Sequence, residues 1–171
     1  RNTEGIVICA KNAESLRLLN EIIRERMLHK RYLCVTVGVP APKEATITAY
    51  LEKNEAQNRV YVGDIKTDSN KTIVTDYKVL KTSGELALCE IELITGRTHQ
   101  IRAHMAYEGY PLLGDGKYGT NRVNRTFNIK TQALYSYQVS FDFTTQSGCL
   151  SYLNGQKFSV KDVWFEKEFF G

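Results

Sequence analysis

The chain has little proline, with three residues in 171, and a single tryptophan. It also lacks any apolar run approaching the roughly 20 residues that a bilayer-spanning helix requires. Ile6 to Ala10 is as long as such runs become. A soluble chain with no membrane partner is the expectation. No low-complexity tract, internal repeat or linker is present, which sets aside fibrous, disordered and array-like proteins. With 42% hydrophobic and 25% charged residues, the composition is that of an ordinary globular domain. At 171 residues a single domain spanning 1–171 is expected. The chain opens on Arg1 without a basic-then-apolar leader, so no signal peptide is anticipated, and the sequence looks like part of a longer one.

Cysteine is present but uninformative as a framework. Cys9, Cys34, Cys89 and Cys149 form no C-x-x-C pair, which excludes zinc ribbons and thioredoxin-like redox motifs. Cys9, Cys34 and Cys89 lie in apolar or alternating runs, where a reduced cysteine serves as a small core residue. A reducing cytoplasm fits that usage. Gly-x-Ser-x-Gly is missing, and with it the nucleophile elbow. Gly114-Asp115-Gly116-Lys117 superficially suggests a phosphate loop but lacks the G-x-x-x-x-G-K-[ST] order; a tight turn held by Asp115 is the simpler reading.

What is there is an uneven charge. The net formal charge is +4, and the segment 95–130 carries all of it: Arg97, Arg102, Lys117, Arg122, Arg125 and Lys130 against Glu108 and Asp115. A positive excess concentrated in one glycine-rich stretch points to an anionic partner, nucleic acid or a phosphorylated metabolite, unless the segment is simply a solvated surface.

Hydrophobic periodicity gives the elements. Gly5 to Ala10 is expected to be a buried strand. From Ala13 the apolar residues Leu16, Leu19, Ile22, Ile23 and Met27 recur at helical steps behind Asn12, a suitable N-cap. Lys30 to Gly38 alternates, with Leu33, Val35 and Val37 opposed to Tyr32, Cys34 and Thr36, and Pro40-Ala41-Pro42 ends it. Strands are expected at Ala45–Tyr50 and Arg59–Val62, with a loop over Glu52 to Asn58. A hairpin of Thr72–Lys81 and Leu86–Ile94 follows. Thr98 to Glu108 is a helix closed by Gly109 and Pro111. Residues 112 to 130 have no regular pattern. Ala133–Phe143 and Lys157–Val160 are strands, Ser147-Gly148 and Asn154-Gly155 are turns, and Val163–Phe170 is an aromatic helix. The fold class is therefore α+β, a mixed, largely antiparallel β-sheet flanked by a few helices.

The densest polar cluster is Thr95-Gly96-Arg97-Thr98-His99-Gln100-Ile101-Arg102-Ala103-His104, at a strand-to-helix junction that favours anions. His99 and His104 are about 140° apart on a helix and have no carboxylate to join them, so a shared metal site is not expected. Arg97 and Arg102 diverge by the same angle and should do different jobs. His99 and Arg102, three apart, share a face.

Gly96 to His104, followed by Pro111-Leu112-Leu113-Gly114-Asp115 and Tyr118-Gly119, resembles the signature of the RluA-type pseudouridine synthases. The similarity extends to Gln132-Ala133-Leu134, to Lys30-Arg31-Tyr32, and to Arg1-Asn2-Thr3-Glu4-Gly5, which is similar to the second half of the family's His-Arg-Leu-Asp-x-x-Thr-Ser-Gly motif with Glu4 in place of Ser. The resemblance implies a cofactor-free and metal-free isomerisation of uridine in ribosomal or transfer RNA, by a monomer that flips the base out of its stack. It implies that Tyr32 stacks on the base and that Arg102 pairs with the catalytic Asp. Leu134 lines the base pocket, while Arg97, His99, Lys117, Arg122 and Arg125 meet RNA phosphates. By the motif's spacing that Asp falls immediately before Arg1, and Asp115 matches only the structural Gly-Asp turn. The chain is then the C-terminal larger part of a catalytic domain and is not expected to turn over by itself; the alternative is a catalytically silent RNA-binding module.

Overall fold

The computed structural model describes residues 3–145 and 148–171. In chain order its elements are β1 (Glu4–Gly5), α1 (Ala13–Arg24), β2 (Leu28–Val37), β3 (Glu44–Asn54), β4 (Arg59–Gly63), β5 (Lys71–Ser83), β6 (Leu86–Leu93), α2 (Gln100–Tyr107), α3 (Asn121–Thr126), β7 (Leu134–Phe141), a 3-10 turn (Gly148–Leu153), β8 (Lys157–Ser159) and α4 (Trp164–Phe170). The strands form one sheet in the order β1-β7-β2-β6-β5-β3-β4, with β8 also on β7. Among the described residues only the β1–β7 pairing is parallel. The fold is the mixed, mostly antiparallel sheet that the alternating runs indicate.

The period-two pattern works because both faces of the central strands are covered. On one face Cys34, Ala87, Cys89 and Ile91 pack beneath Ile101 and Met105 of α2. On the other, Leu33, Val35, Leu86 and Leu88 pack against Val163 and Phe165 at the start of α4. Cys34 and Val35 are both fully buried, although they point in opposite directions. The thiols of Cys34 and Cys89 are free and sit at directly paired positions; burial raises the pKa of both, Cys89 to about 11.

In α1 the Asn12 side chain accepts the Ser15 amide at 2.8 Å, as a cap should. The helix buries Leu18, Leu19 and Ile22 against Val139 and Phe141, and leaves Leu16 and Ile23 exposed. The sequence carries two overlapping apolar stripes, and contact with β7 selects between them. The expected strand from Gly5 to Ala10 is not formed beyond Gly5. Register explains this: Gly5 lies beside Ser136, but farther along the same edge β7 is already occupied by β8, which pairs at Gln138, Val139 and Ser140. The Ile6 amide still donates to the Ser136 carbonyl at 2.9 Å, but residues 7–10 have no ladder to join. Val7 and Cys9 are exposed, so Cys9 is not a core residue. Gly5 itself is required: at φ 112° a Cβ would stand 2.2 Å from the Ser136 carbonyl oxygen.

Other boundaries also shift. β3 continues through Glu52 to Asn54, because these residues pair with Tyr61, Val60 and Arg59 of β4. α3 occupies part of the segment expected to be irregular, and the 3-10 turn was not anticipated. Of the expected Ser147-Gly148 turn, Ser147 lies outside the described residues, as do Arg1 and Asn2.

Candidate active site

A cleft of about 350 Å³ opens where β2 begins and β6 ends, lined by Leu28, Lys30, Tyr32, Ile94, Gly96 and Arg97 among others. Strand alternation sends Leu28, Lys30 and Tyr32 to one face. It sends His29 and Arg31 to the other, where each meets Glu92 at 3.1 Å, and His29 and Glu92 also reach the lining of the cleft. A register shift against β7 between Arg31 and Tyr32 leaves Tyr32 opposite Ser136. Burial pushes the Tyr32 hydroxyl pKa up, partly offset by its hydrogen bond with Ser136, so the phenol is neutral at physiological pH. Lys30, two residues away, has its pKa lowered by burial. Neither Lys30 nor Arg97 has an ion-pair partner among the described residues.

Arg97 owes its place to Gln100. The buried Gln100 carboxamide oxygen accepts the Arg97 amide at 3.0 Å and the Thr95 hydroxyl at 2.9 Å. Its NH2 donates to the Val74 carbonyl and the Thr75 hydroxyl, both at 3.0 Å. The side chain therefore stitches the turn carrying Arg97 onto β5. His99, with φ 54°, then swings the chain into α2.

Arg102 is placed differently. From α2 it makes a bidentate pair with Asp115, Nε to Oδ2 at 2.6 Å and a terminal nitrogen to Oδ1 at 2.8 Å, with side-chain exposures of 11% and 0%. Asp115 also accepts the amides of Lys117 and Tyr118. Burial acts to raise the Asp115 pKa. It is outweighed by the hydrogen bond and charge of Arg102 and by the two amides, which hold the carboxyl below the usual range. Asp115 is thus a turn residue, as its motif suggests, and also the counter-ion of Arg102. Arg102 does not line the Tyr32 cleft, and Arg97 does.

The other candidates are dispersed. Leu134 is buried opposite Cys34, on the same face as Tyr32, but in the core beneath α2 and not on the cleft wall. His99 and Arg102 do share a face: His99 Nδ1 lies 3.0 Å from the Tyr118 hydroxyl, and the Arg102 guanidinium lies 5.2 Å from the Tyr118 ring centre. Burial, then the charges of Arg102 and Lys117, lower the His99 pKa. Lys117 Nζ donates to the Asn58 carbonyl. Arg122 and Arg125 are exposed on α3, and Arg125 borders a second groove of about 410 Å³ with Gly114, Gly116 and Lys130, which shares no residue with the first. His104 is wholly buried, with Nδ1 3.0 Å from the Thr75 hydroxyl and a pKa lowered to about 4 by burial. Among the described residues no group of His, Cys, Asp and Glu is arranged to hold a metal ion, and no helix is long and apolar enough to cross a membrane. Lys30 and Gln100 were not singled out from sequence. Both stand inside the motif stretches, but only the folded register shows what they touch.

Comparison with known proteins gives the class first. Residues 1–107 match the family model described as RNA pseudouridylate synthase, and the chain belongs to that family. It is 32% identical over 142 residues to ribosomal large subunit pseudouridine synthase D of Borreliella burgdorferi, covering 83% of this chain and 42% of that protein. It is 35% identical over 124 residues to ribosomal large subunit pseudouridine synthase C of Rickettsia bellii, covering 72% and 41%. The chain thus spans less than half the length of these relatives. Its fold is similar to that of human RNA pseudouridylate synthase domain containing 1, with TM-score 0.73, 22% identity, and coverage of 92% of this chain and 64% of that one.

Proposed function

We propose that this chain is the larger part of the catalytic domain of a cytoplasmic RNA pseudouridine synthase. Its substrate on this reading is a uridine in structured RNA, with large-subunit ribosomal RNA first among the classes because the relatives are named for it. The observation that carries the reading is the cleft lined by a half-buried, neutral Tyr32 and by Arg97, which has no ion-pair partner among the described residues. Isomerisation breaks the N1–C1′ bond, forms a C5–C1′ bond, and moves a proton from C5 while N1 gains one. No electrons enter or leave.

Tyr32 supplies a stacking surface for the extruded base. Arg97, rather than Arg102, is the guanidinium available to a carboxylate in the cleft, where it would favour the ionised form. Arg102 braces the 114–118 turn through Asp115. β1 lies two strands from β2, about 10 Å at ordinary strand spacing, with Gly5, Ser136 and Tyr32 in one row. His99, Lys117, Arg122 and Arg125 contribute a basic flank for phosphates.

A silent RNA-binding module is not favoured, because the cleft keeps a half-buried tyrosine together with an arginine that has no ion-pair partner among the described residues. The test is pseudouridine mapping in cellular RNA with and without the full-length protein. One or a few uridines should lose the modification; an unchanged map overturns the reading. The 171-residue polypeptide alone, which does not contain the motif Asp, is expected to release no tritium from RNA labelled at uridine C5. Release from it would overturn that part.

A further inference from the structure

A second cluster of positive charge gathers at Tyr118, in the 114–119 turn. The Tyr118 ring carries two guanidinium groups, Arg59 from the first position of β4 and Arg102 from α2, each 5.2 Å from the ring centre. Lys117 joins them, its Nζ held on the Asn58 carbonyl next to Arg59. Like charges gathered so closely repel unless counter-charges are present. One is: Asp115, which both oxygens of its carboxylate commit to Arg102. The acid of the adjoining hairpin turn, Glu55, is taken by Lys53 at 3.0 Å. Arg59 has no ion-pair partner among the described residues, so Arg59 and Lys117 remain uncompensated.

The ring is itself fixed. Its hydroxyl accepts the Val60 amide at 3.0 Å and meets His99 Nδ1 at 3.0 Å, which ties β4 to the start of α2. A guanidinium lying over an aromatic face keeps its edge donors free for a planar or tetrahedral anion, and is held there with little further loss of freedom. The positive field is also felt by His99, whose proton is disfavoured by burial and then by Arg102 and Lys117.

We propose that Arg59, seated on Tyr118 with Lys117 beside it, is a phosphate subsite for the RNA backbone, extending the nucleic-acid surface from the 95–119 segment onto the β3–β4 hairpin. This rests on the RNA reading above and assigns a contact outside the basic segment legible in sequence. A single phosphate contact contributes one charge to counter-ion release and carries no base preference.

The test is a salt titration of RNA affinity using the full chain and a structured ribosomal RNA fragment, with wild type, Arg59→Ala and Arg59→Lys, each checked by thermal melting. The subsite predicts that Arg59→Ala weakens binding and makes the slope of log affinity against log salt shallower by about one. Arg59→Lys should retain the slope, and the melting temperatures should be unchanged. Salt-dependent binding by wild type with an identical slope for Arg59→Ala overturns the subsite and leaves the functional reading standing. Wild-type protein that shows no salt-dependent RNA affinity overturns both. If Arg59→Ala loses folding, the Arg59→Lys slope decides: a slope shallower by one in a folded protein contradicts a simple charge contact.

Discussion

At the scale of single residues, the two arginines of the signature part company in a way that a stability measurement can separate. Arg102 neutralises a fully buried carboxylate. Removing it strands that charge, and Arg102→Met should cost about 3–5 kcal/mol in denaturant unfolding. Arg97 has no such debt, and Arg97→Met should change stability by less than about 0.5 kcal/mol. The motif displays both residues but not which faces the cleft. A helical angle between them has no meaning here, because α2 begins only at Gln100 and Arg97 sits on the preceding turn. The geometry places Arg97 on the cleft wall and Arg102 on Asp115.

His104 gives a pH prediction at the same scale. Folded, its pKa is about 4; unfolded it returns to roughly 6.5. The folded state resists protonation, so the unfolded state binds the extra proton between those values and stability falls as pH drops from about 6.5 to about 4, by about 3 kcal/mol at most. Denaturant melts of His104→Gln should lack this limb while retaining the one from Asp115. The Asp115 contribution is present above the ordinary carboxylate pKa and is lost only as pH falls through the lowered one.

At the scale of elements, the legible parts were those whose pattern tertiary packing simply accepts. β6 alternates cleanly because each face meets its own core layer, and β5 because it buries only the face of Ile73, Thr75 and Tyr77. Asn12 is a cap in sequence and in structure, and Asn12→Ala should cost about 1 kcal/mol of stability, read by urea unfolding. The misreadings arise where one element competes with another. Residues 6–10 are apolar enough for a strand, but β8 holds the edge they would need. Leu16 and Ile23 fit a helical stripe, but α1 turns its Leu18 side to β7. α3 is polar and only six residues long, too short for periodicity to reveal. Gln100 is a different case: a polar residue in a helix start is unremarkable until the strand beside it supplies Val74 and Thr75.

At the scale of the whole molecule, the cleft opens at the start of β2, a strand paired on both sides by β6 and β7. Tyr32 is therefore held by strand pairing on both sides, while Arg97 comes from the turn after β6. The modest net charge conceals two basic concavities, the cleft with Lys30 and Arg97 and the groove with Arg125 and Lys130. A polyanion long enough to touch both suits this layout better than a small phosphorylated metabolite. RNA affinity of the full chain should fall steeply with salt, by orders of magnitude between low and physiological ionic strength if several phosphates are engaged; a salt-insensitive affinity would point back to a compact ligand. The basic segment was visible in sequence. Its division between two openings was not, since that depends on which side of the sheet each loop reaches.

The central claim is that Tyr32 and Arg97 form the working cleft of a uridine isomerase. It is tested most directly by tritium release from RNA labelled at uridine C5, with the full-length protein and its Arg97→Ala and Tyr32→Ala variants at saturating RNA. The account predicts release by the wild type and a loss in kcat of about a hundredfold or more for Arg97→Ala, on the scale of removing one charge-stabilising group from an active site, with Tyr32→Ala similarly impaired. Wild-type turnover by a folded Arg97→Ala protein would contradict it.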